Sequence, residues 1–177
     1  MGREAARKRR HGDVMSMFED GHYRWRETYF VLFDPARRPT AARIKKALAD
    51  LGERYEVKNV HGDDEGRFES LTLLAPDDFA ALDVSYLEGE EVVEQGAQLA
   101  LDLQRSAVEA GDQARLKQLR QYTARFDVLH FEQLAEEEDN DESEEEMLDP
   151  GAMLIVLETL AKLTGGIAVD PQSGTML

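Results

Sequence analysis

A short segment of the chain places an imidazole beside several carboxylates. His61, Asp63, Asp64 and Glu65 lie within five consecutive positions, and such a ligand set can hold a divalent metal ion. Glycines flank the three acids, which favours a turn in which neighbouring side chains point in different directions. No second histidine lies at ligand spacing. A solvated hairpin connection is therefore the favoured interpretation, and a metal site is the alternative.

His130 is the histidine that the sequence places in the most apolar surroundings. It lies in residues 125–133, where apolar side chains occupy both faces of an expected strand. A general base needs a nucleophile or an orienting acid within hydrogen-bond reach. The sequence assigns it neither, so a hydrogen-bonded core or rim histidine is expected. The alternative is a catalytic base in a small metal-dependent hydrolase or ligand-binding enzyme that would also use Asp63, Asp64 or Glu65.

Several classes of chemistry have no support in the sequence. The chain has no cysteine, which excludes disulfides, zinc–thiolate sites, iron–sulfur clusters and thiol catalysis. It also lacks the glycine-rich nucleotide motifs, the H-E-x-x-H zinc motif and the G-x-S-x-G nucleophile motif. We therefore expect no cofactor, and the most economical hypothesis is a protein that is not an enzyme.

One low-complexity segment carries much of the negative charge. Its acids are Glu136, Glu137, Glu138, Asp139, Asp141, Glu142, Glu144, Glu145 and Glu146. Mutual repulsion and the scarcity of apolar side chains predict a disordered insertion over residues 136–148. The glycine of a calcium-binding loop is missing, so an EF-hand is not expected. The segment, called the acidic run below, is either a passive linker or a docking element for a basic protein partner.

The net charge of −16 is unevenly distributed. Residues 136–149 hold ten acids and no base, so the rest of the chain carries −6. Residues 1–10 hold five basic residues and one acid, and residues 1–20 are predicted to be a disordered basic tail. The overall acidity argues against nucleic acid as a partner of the whole domain, and nucleic-acid binding through the basic N-terminal arm is a less favoured hypothesis. No segment approaches the length of a membrane span, so we expect no membrane partner and a cytoplasmic protein.

The elements that must position these residues begin with residues 28–60. A strand over residues 29–33 is followed by Thr40 as a helix N-cap, by apolar positions at helical spacing, and by Gly52 as a C-terminal stop. A second strand over residues 55–60 completes a strand–helix–strand unit. Residues 68–75 predict another strand. Residues 77–87 fit a strand by alternation, although a helix also fits.

The second half of the chain is expected to contain the longer helices. Residues 90–122 predict a helix that Gly111 interrupts, with Asp112 capping a second piece. After the strand at residues 125–133 and the acidic run, Asp149 and Pro150 open a helix that is apolar on nearly all sides. Gly165 or Gly166 closes that helix, and residues 167–170 predict a final strand. The acidic run is therefore expected to be an insertion inside the domain.

The predicted fold is a single α+β domain over residues 21–177. Its sheet is mixed or antiparallel, and its helices pack mainly on one face. The element order is similar to a ferredoxin-like split β-α-β core with an added C-terminal helix–strand unit. Because fold alone carries no function, the functional hypothesis rests on charge and on the missing catalytic motifs. It is a non-enzymatic protein-interaction or regulatory module, compatible with a homodimer through the sheet or the apolar C-terminal helix.

Overall fold

Seven strands of the described residues form one antiparallel sheet. The computed structural model describes residues 20–105, 109–134 and 151–177. The strands are β1 (Tyr23–Phe33), β2 (Glu56–Gly62), β3 (Phe68–Ala75), β4 (Ala80–Glu88), β5 (Ala124–Gln133), β6 (Ile167–Asp170) and β7 (Thr175–Met176). Their order across the sheet is β2-β3-β4-β5-β1-β6-β7. The long central pair, β1 with β5, joins residues about a hundred positions apart in the chain, from Tyr23 opposite Gln133 to Phe33 opposite Ala124.

Four helices of the described residues cover the sheet. They are α1 (Ala41–Ala49), α2 (Glu90–Gln104), α3 (Ala110–Leu119) and α4 (Gly151–Thr164). Within this part of the chain no helix is both long and apolar enough to cross a bilayer. The prediction of an α+β fold is confirmed. The predicted disorder of residues 1–20 and 136–148 falls on residues that, Asp20 apart, lie outside the described ranges.

Local signals placed the first elements well. The Thr40 hydroxyl accepts a 3.1 Å hydrogen bond from the backbone N–H of Arg43, which makes it the N-cap of α1. Ile44 and Leu48 of that helix are fully buried. Gly52 takes a positive φ of 124° just after the helix. Strand β1 begins at Tyr23, six residues before the predicted start, with a register shift between Trp25 and Glu27.

Two later uncertainties are decided by the structure. The alternative helix over residues 77–87 is wrong, because Ala80–Glu88 pair with β5 along their whole length and with β3 as far as Ser85. The predicted interruption at Gly111 is also wrong in position. Helix α3 starts at Ala110 with Glu109 as its N-cap residue, so Gly111 and Asp112 lie inside its first turn.

The helices divide between the two faces of the sheet, which corrects the expectation that they pack mainly on one. Side chains alternate along a strand, so Val31 and Phe33 lie on one face and Leu32 on the other. On the first, called the front face, α1 and α4 pack over Phe33, Phe68 and Phe126. On the second, called the back face, α2 and α3 pack over Leu32, Ile167 and Val169.

A ferredoxin-like split core is not confirmed. Strand β1 has antiparallel neighbours on both sides, β5 and β6, and three strands separate it from β2. A split β-α-β unit instead brings its parallel strands close to a single intervening strand. Apolar alternation identifies strands but carries no information on which strand becomes the neighbour, so sequence order alone suggested the wrong arrangement.

The C-terminal helix–strand unit forms as predicted and packs tightly. Gly165 ends α4 with a φ of 65°, and the N–H of Gly166 donates to the carbonyl of Ala161. This is the hydrogen bond of a helix end closed by a left-handed residue. A Cβ on Gly166 would lie 2.4 Å from the carbonyl oxygen of Leu32. The turn from α4 into β6 therefore requires glycine at this position.

Candidate functional site

The predicted metal-binding turn joins β2 to β3. One carboxylate oxygen of Asp63 accepts from the backbone N–H groups of Glu65 and Arg67, at 2.9 Å each. The other accepts from Nε of Arg67 at 2.8 Å and lies 3.7 Å from the guanidinium of Arg38. Burial opposes the effect, but these hydrogen bonds from Arg67 and Glu65, with the Arg67 charge, hold the pKa of Asp63 below its ordinary value. Asp63 therefore organises the turn.

The other members of that turn do not join Asp63 in a ligand cluster. His61 lies in β2, and Asp64 and Glu65 lie in the turn itself. Among the described residues, no group of three or more histidine, aspartate or glutamate side chains is arranged to hold a metal ion. The metal alternative remains a prediction, and the arginine contacts of Asp63 compete with it.

His130 lies at the opposite end of the sheet from this turn. It pairs with Leu82 near the start of β4, whereas the turn adjoins the end of β2, where Gly62 pairs with Phe68. Strand spacing and rise place the two sites on the order of 15 Å or more apart. The candidate base and the candidate metal ligands are therefore not brought together in one cleft.

His130 belongs to a small polar cluster that the sequence did not reveal. Its ring is 6% exposed on the front face, and Nδ1 lies 3.4 Å from Oε1 of Glu27. The buried Tyr29 donates a 2.7 Å hydrogen bond from its hydroxyl to that same oxygen. Glu27 and Tyr29 share a strand face by their i, i+2 spacing, but nothing in the residue pattern indicates that β1 pairs with β5.

Burial dominates the protonation of this cluster. Desolvation lowers the pKa of His130, and the hydrogen bond and charge of Glu27 oppose that shift. Desolvation also raises the pKa of Tyr29, to which the contact with Glu27 adds. At neutral pH the cluster is therefore a neutral tyrosine and a neutral imidazole beside one carboxylate, which is a hydrogen-bonding arrangement that could move a proton.

The space beside His130 is too small for a substrate. A cavity of about 10 Å³ adjoins the ring and is lined mainly by apolar side chains, including Tyr55, Leu82 and Met153. A volume of that order holds about one water molecule. The Tyr55 hydroxyl closes one side by donating to the carbonyl of Ala152 at the start of α4. Catalysis at His130 would therefore require these elements to separate.

A second cluster, built around the buried charge of Arg125, lies on the back face, and sequence reasoning did not identify it. Arg125 is 5% exposed, and its guanidinium lies 4.3 Å from the ring centre of Phe30. Its Nε donates to Asp127 at 2.6 Å, and another nitrogen donates to Gln95 of α2. Burial raises the pKa of Asp127 although the Arg125 contact opposes this. The network fixes α2 against β5 and has the character of a structural ion pair.

The end of the sheet that holds His130 exposes three large apolar residues, which we call the apolar rim. Phe79 is 54% exposed in the β3–β4 connection, Trp25 is 44% exposed in β1, and Leu134 is 39% exposed just after β5. Backbone hydrogen bonds join these segments, from Gln133 to the carbonyl of Phe79 and from Leu134 to the carbonyl of His22. The rim therefore sits on ordered backbone.

Phe79 is unusual in its backbone as well as in its exposure. Its φ of 49° and ψ of 39° are left-handed, a conformation that bulky residues rarely adopt. Such strain costs on the order of 1–3 kcal/mol and persists where the surrounding structure imposes it. Next to it, Arg54 binds both oxygens of Asp78 at 3.1 Å. The connection thus holds an aromatic side chain in solvent at an energetic cost.

The acidic run, Glu136 through Glu146, lies outside the described residues, between Leu134 and Gly151. Its two flanks are ordered: β5 precedes it, and α4 with β6 follows it and returns to the same sheet. The run therefore starts two residues after Leu134 of the apolar rim.

No protein-family model matches the chain, and no curated protein or solved structure matches it either.

Proposed function

We propose that this chain is a non-enzymatic protein-interaction module that docks a basic partner. The acidic run attracts the partner, and the apolar rim of Phe79, Trp25 and Leu134 anchors it. Charge complementarity mainly raises association rates and selects partners, whereas buried aromatic anchors supply most of the affinity. The acidic run begins two residues after Leu134 of the apolar rim, so the two features supply these complementary contributions to the same partner.

The observation that carries the proposal is Phe79. A bulky aromatic residue in a left-handed conformation costs stability, and an exposed ring returns little of the free energy that burial would give. Neither feature helps the fold. Both are accounted for if the ring enters a pocket on another protein, because phenylalanine is among the residues enriched at interfaces and hot-spot residues occupy well-packed, desolvated pockets.

The polar side chains give less support to an enzyme. Asp63 is engaged by Arg67, Glu132 accepts from both Arg24 and Arg26, and Asp127 is engaged by Arg125. Within the described part of the chain, no buried side-chain nitrogen or oxygen lacks a hydrogen-bond partner. Groups that are satisfied internally are not held ready for a substrate. A hydrolase that uses His130 is the alternative.

The proposal is tested by capture from native lysate with four forms of the full chain. These are the unmodified chain, a form with the nine acids of the run changed to glutamine or asparagine, Phe79→Ala, and Leu101→Ala. Leu101 is 55% exposed on α2 and is the matched control for exposure. A single basic protein held by the unmodified chain and Leu101→Ala, released at high salt, and lost from the other two forms supports the proposal.

Two results would count against it. Equal recovery of every captured protein by all four forms would make the run a linker and Phe79 irrelevant to binding. If the unmodified chain captures no protein, the result contradicts the docking proposal and favours the ligand-binding or enzyme alternative. Circular dichroism and thermal unfolding of each form establish that loss of capture is not loss of fold.

A further inference from the structure

A groove runs along the solvent side of α4. It has a volume of about 520 Å³ and is bounded by α4, β6 and the end of the described chain. Its apolar lining comes from Leu154, Leu157, Ala161, Ala168 and Leu177. The groove lies on the front face, since Ala168 belongs to the front-face core.

The side of α4 that faces the groove is called the flank below. The size of its side chains changes from one end of the helix to the other. Leu154 and Ile155, near the start of α4, are each 43% exposed. At the other end the helix carries Ala161 and closes with Gly165 and Gly166. One end of the helix surface therefore projects bulky side chains into solvent, and the other end carries small residues, with the guanidinium of Arg37 beside Gly165.

The flank also carries one charge of each sign. Glu158 and Lys162 line the groove one helical turn apart, with 2.7 Å between the carboxylate and the ammonium. Their side chains are 62% and 76% exposed. A pair this exposed contributes little to the stability of a single chain, but it gives the flank a polarity along the helix axis.

We propose that the groove is occupied by a second copy of this chain, with the two α4 helices antiparallel about a two-fold axis that crosses the exposed side of α4 at the height of residue 160. An interface of this kind uses the same patch on both subunits and must be complementary to itself. Antiparallel pairing about residue 160 puts Glu158 opposite Lys162 of the partner subunit. It also puts Leu154 and Ile155 opposite the small residues at the other end.

Size and charge thus point to the same arrangement. A parallel pairing would place Glu158 beside the same glutamate of the other copy, and bulk beside bulk. An unrelated helix or a small apolar ligand could fill the groove. Neither explains why side-chain size and charge both reverse along α4 about the height of residue 160. The interface is separate from the apolar rim, so it extends the proposed function without depending on it.

Sedimentation equilibrium of the full chain over a range of concentrations tests the inference. The unmodified chain is expected to dimerise reversibly. Lys162→Glu places glutamate opposite glutamate at two symmetric positions, and Glu158→Lys does the same with lysine. Each single variant is expected to raise the dimer dissociation constant by about tenfold or more, because juxtaposed like charges are unfavourable at an interface.

Mixing the two single variants separates pairing from general damage. A heterodimer of Lys162→Glu with Glu158→Lys restores opposite charges at both positions, so the mixture is expected to associate more tightly than either variant alone. The double variant with both changes should also recover dimerisation. No recovery in the mixture or in the double variant would overturn the antiparallel arrangement.

A matched ion pair elsewhere supplies the control. Lys46 and Asp50 of α1 are also four residues apart, at 2.7 Å, with exposures of 76% and 64%. Lys46→Glu is expected to leave the dimer unchanged. A monomer at every concentration, or a dimer weakened as much by Lys46→Glu as by Lys162→Glu, would overturn the inference. A dimer that persists when the acidic run is neutralised would show that the interface is independent of partner docking.

Discussion

The hydroxyl of Tyr29 donates a 2.7 Å hydrogen bond to the carboxylate of Glu27. The same oxygen lies 3.4 Å from Nδ1 of the buried His130, which is 103 positions away in the chain. One carboxylate therefore serves two side chains that burial holds in their neutral forms. The cluster links β1 to β5 at the end of the sheet that carries the apolar rim.

His130 makes the fold sensitive to acid. Its pKa is lower in the folded chain than the ordinary value of 6.5, so below that pH the unfolded chain binds a proton that the folded chain does not. The free energy of unfolding is then expected to fall as the pH drops below about 6.5, by up to about 1.4 kcal/mol per pH unit. Urea unfolding at pH 7.5, 6.5 and 5.5 measures this.

His130→Gln is the comparison for that experiment. The variant lacks the titrating ring, and its stability should depend less on pH over the same interval. Glu27→Gln should steepen the dependence, because the carboxylate favours the protonated imidazole. Parallel pH profiles for the unmodified chain and His130→Gln would contradict the burial argument.

Gly166 should tolerate no side chain. In Gly166→Ala the added Cβ would meet the carbonyl oxygen of Leu32 and the Cβ of Phe33 at 2.4 and 2.9 Å. The backbone of β1 cannot move without disturbing its pairs with β5 and β6, so we expect a loss of about 2 kcal/mol or more. Thermal unfolding checks this. Gly111 lies in open space on α3, so Gly111→Ala should instead raise the free energy of unfolding by about 0.5–1 kcal/mol.

Arg38 should resist replacement by lysine. Its Nε and Nη2 donate to the carbonyl of Phe68 at 2.9 and 2.7 Å, and its guanidinium lies 3.8 Å from the ring centre of Tyr86. Lysine carries the charge but not the planar fork. Arg38→Lys should therefore lower the free energy of unfolding by about 1–3 kcal/mol. Arg37→Lys, at the exposed neighbouring position, should change the free energy of unfolding little. Equal effects of the two substitutions would contradict the role given to the Arg38 guanidinium.

Phe79 should show opposite effects on stability and on binding. Glycine adopts the left-handed conformation without strain, so Phe79→Gly is expected to stabilise the fold by about 1 kcal/mol. Phe79→Ala keeps the strain and should not stabilise. Both variants remove the ring and should lose the captured partner equally. Unfolding curves combined with capture assays test this, and a destabilised Phe79→Gly would mean that the ring supports the fold.

The local elements were accessible to sequence reasoning because their signals are short in range. Thr40 caps α1 through a neighbour three residues away, and Gly165 ends α4 with its own backbone angle. The alternation over Leu82 and Val84 identified β4, although helical spacing also fitted. Boundaries were weaker: Gly111 looked like a break, but an exposed helical turn accommodates glycine at a modest cost.

The candidate sites were predicted less well, because they depend on which strands become neighbours. The sequence places Asp63 in a turn, but the approach of Arg38 to its carboxylate required the segment before α1 to be in place. No sequence pattern singles out Glu27 or Arg125 as a site residue. Each acts through partners on other elements, His130 for the first and Gln95 for the second.

The sequence by itself determined the α+β class, the main strands and helices, the acidic run and the apolar character of α4. These follow from composition and from periodicities of two and 3.6 residues, which act over a few positions. Only the tertiary structure decided the antiparallel order β2-β3-β4-β5-β1-β6-β7, the helices on both faces, and the separation of His130 from the turn at Asp63. Those features depend on contacts between residues distant in the chain, and local propensity does not encode them.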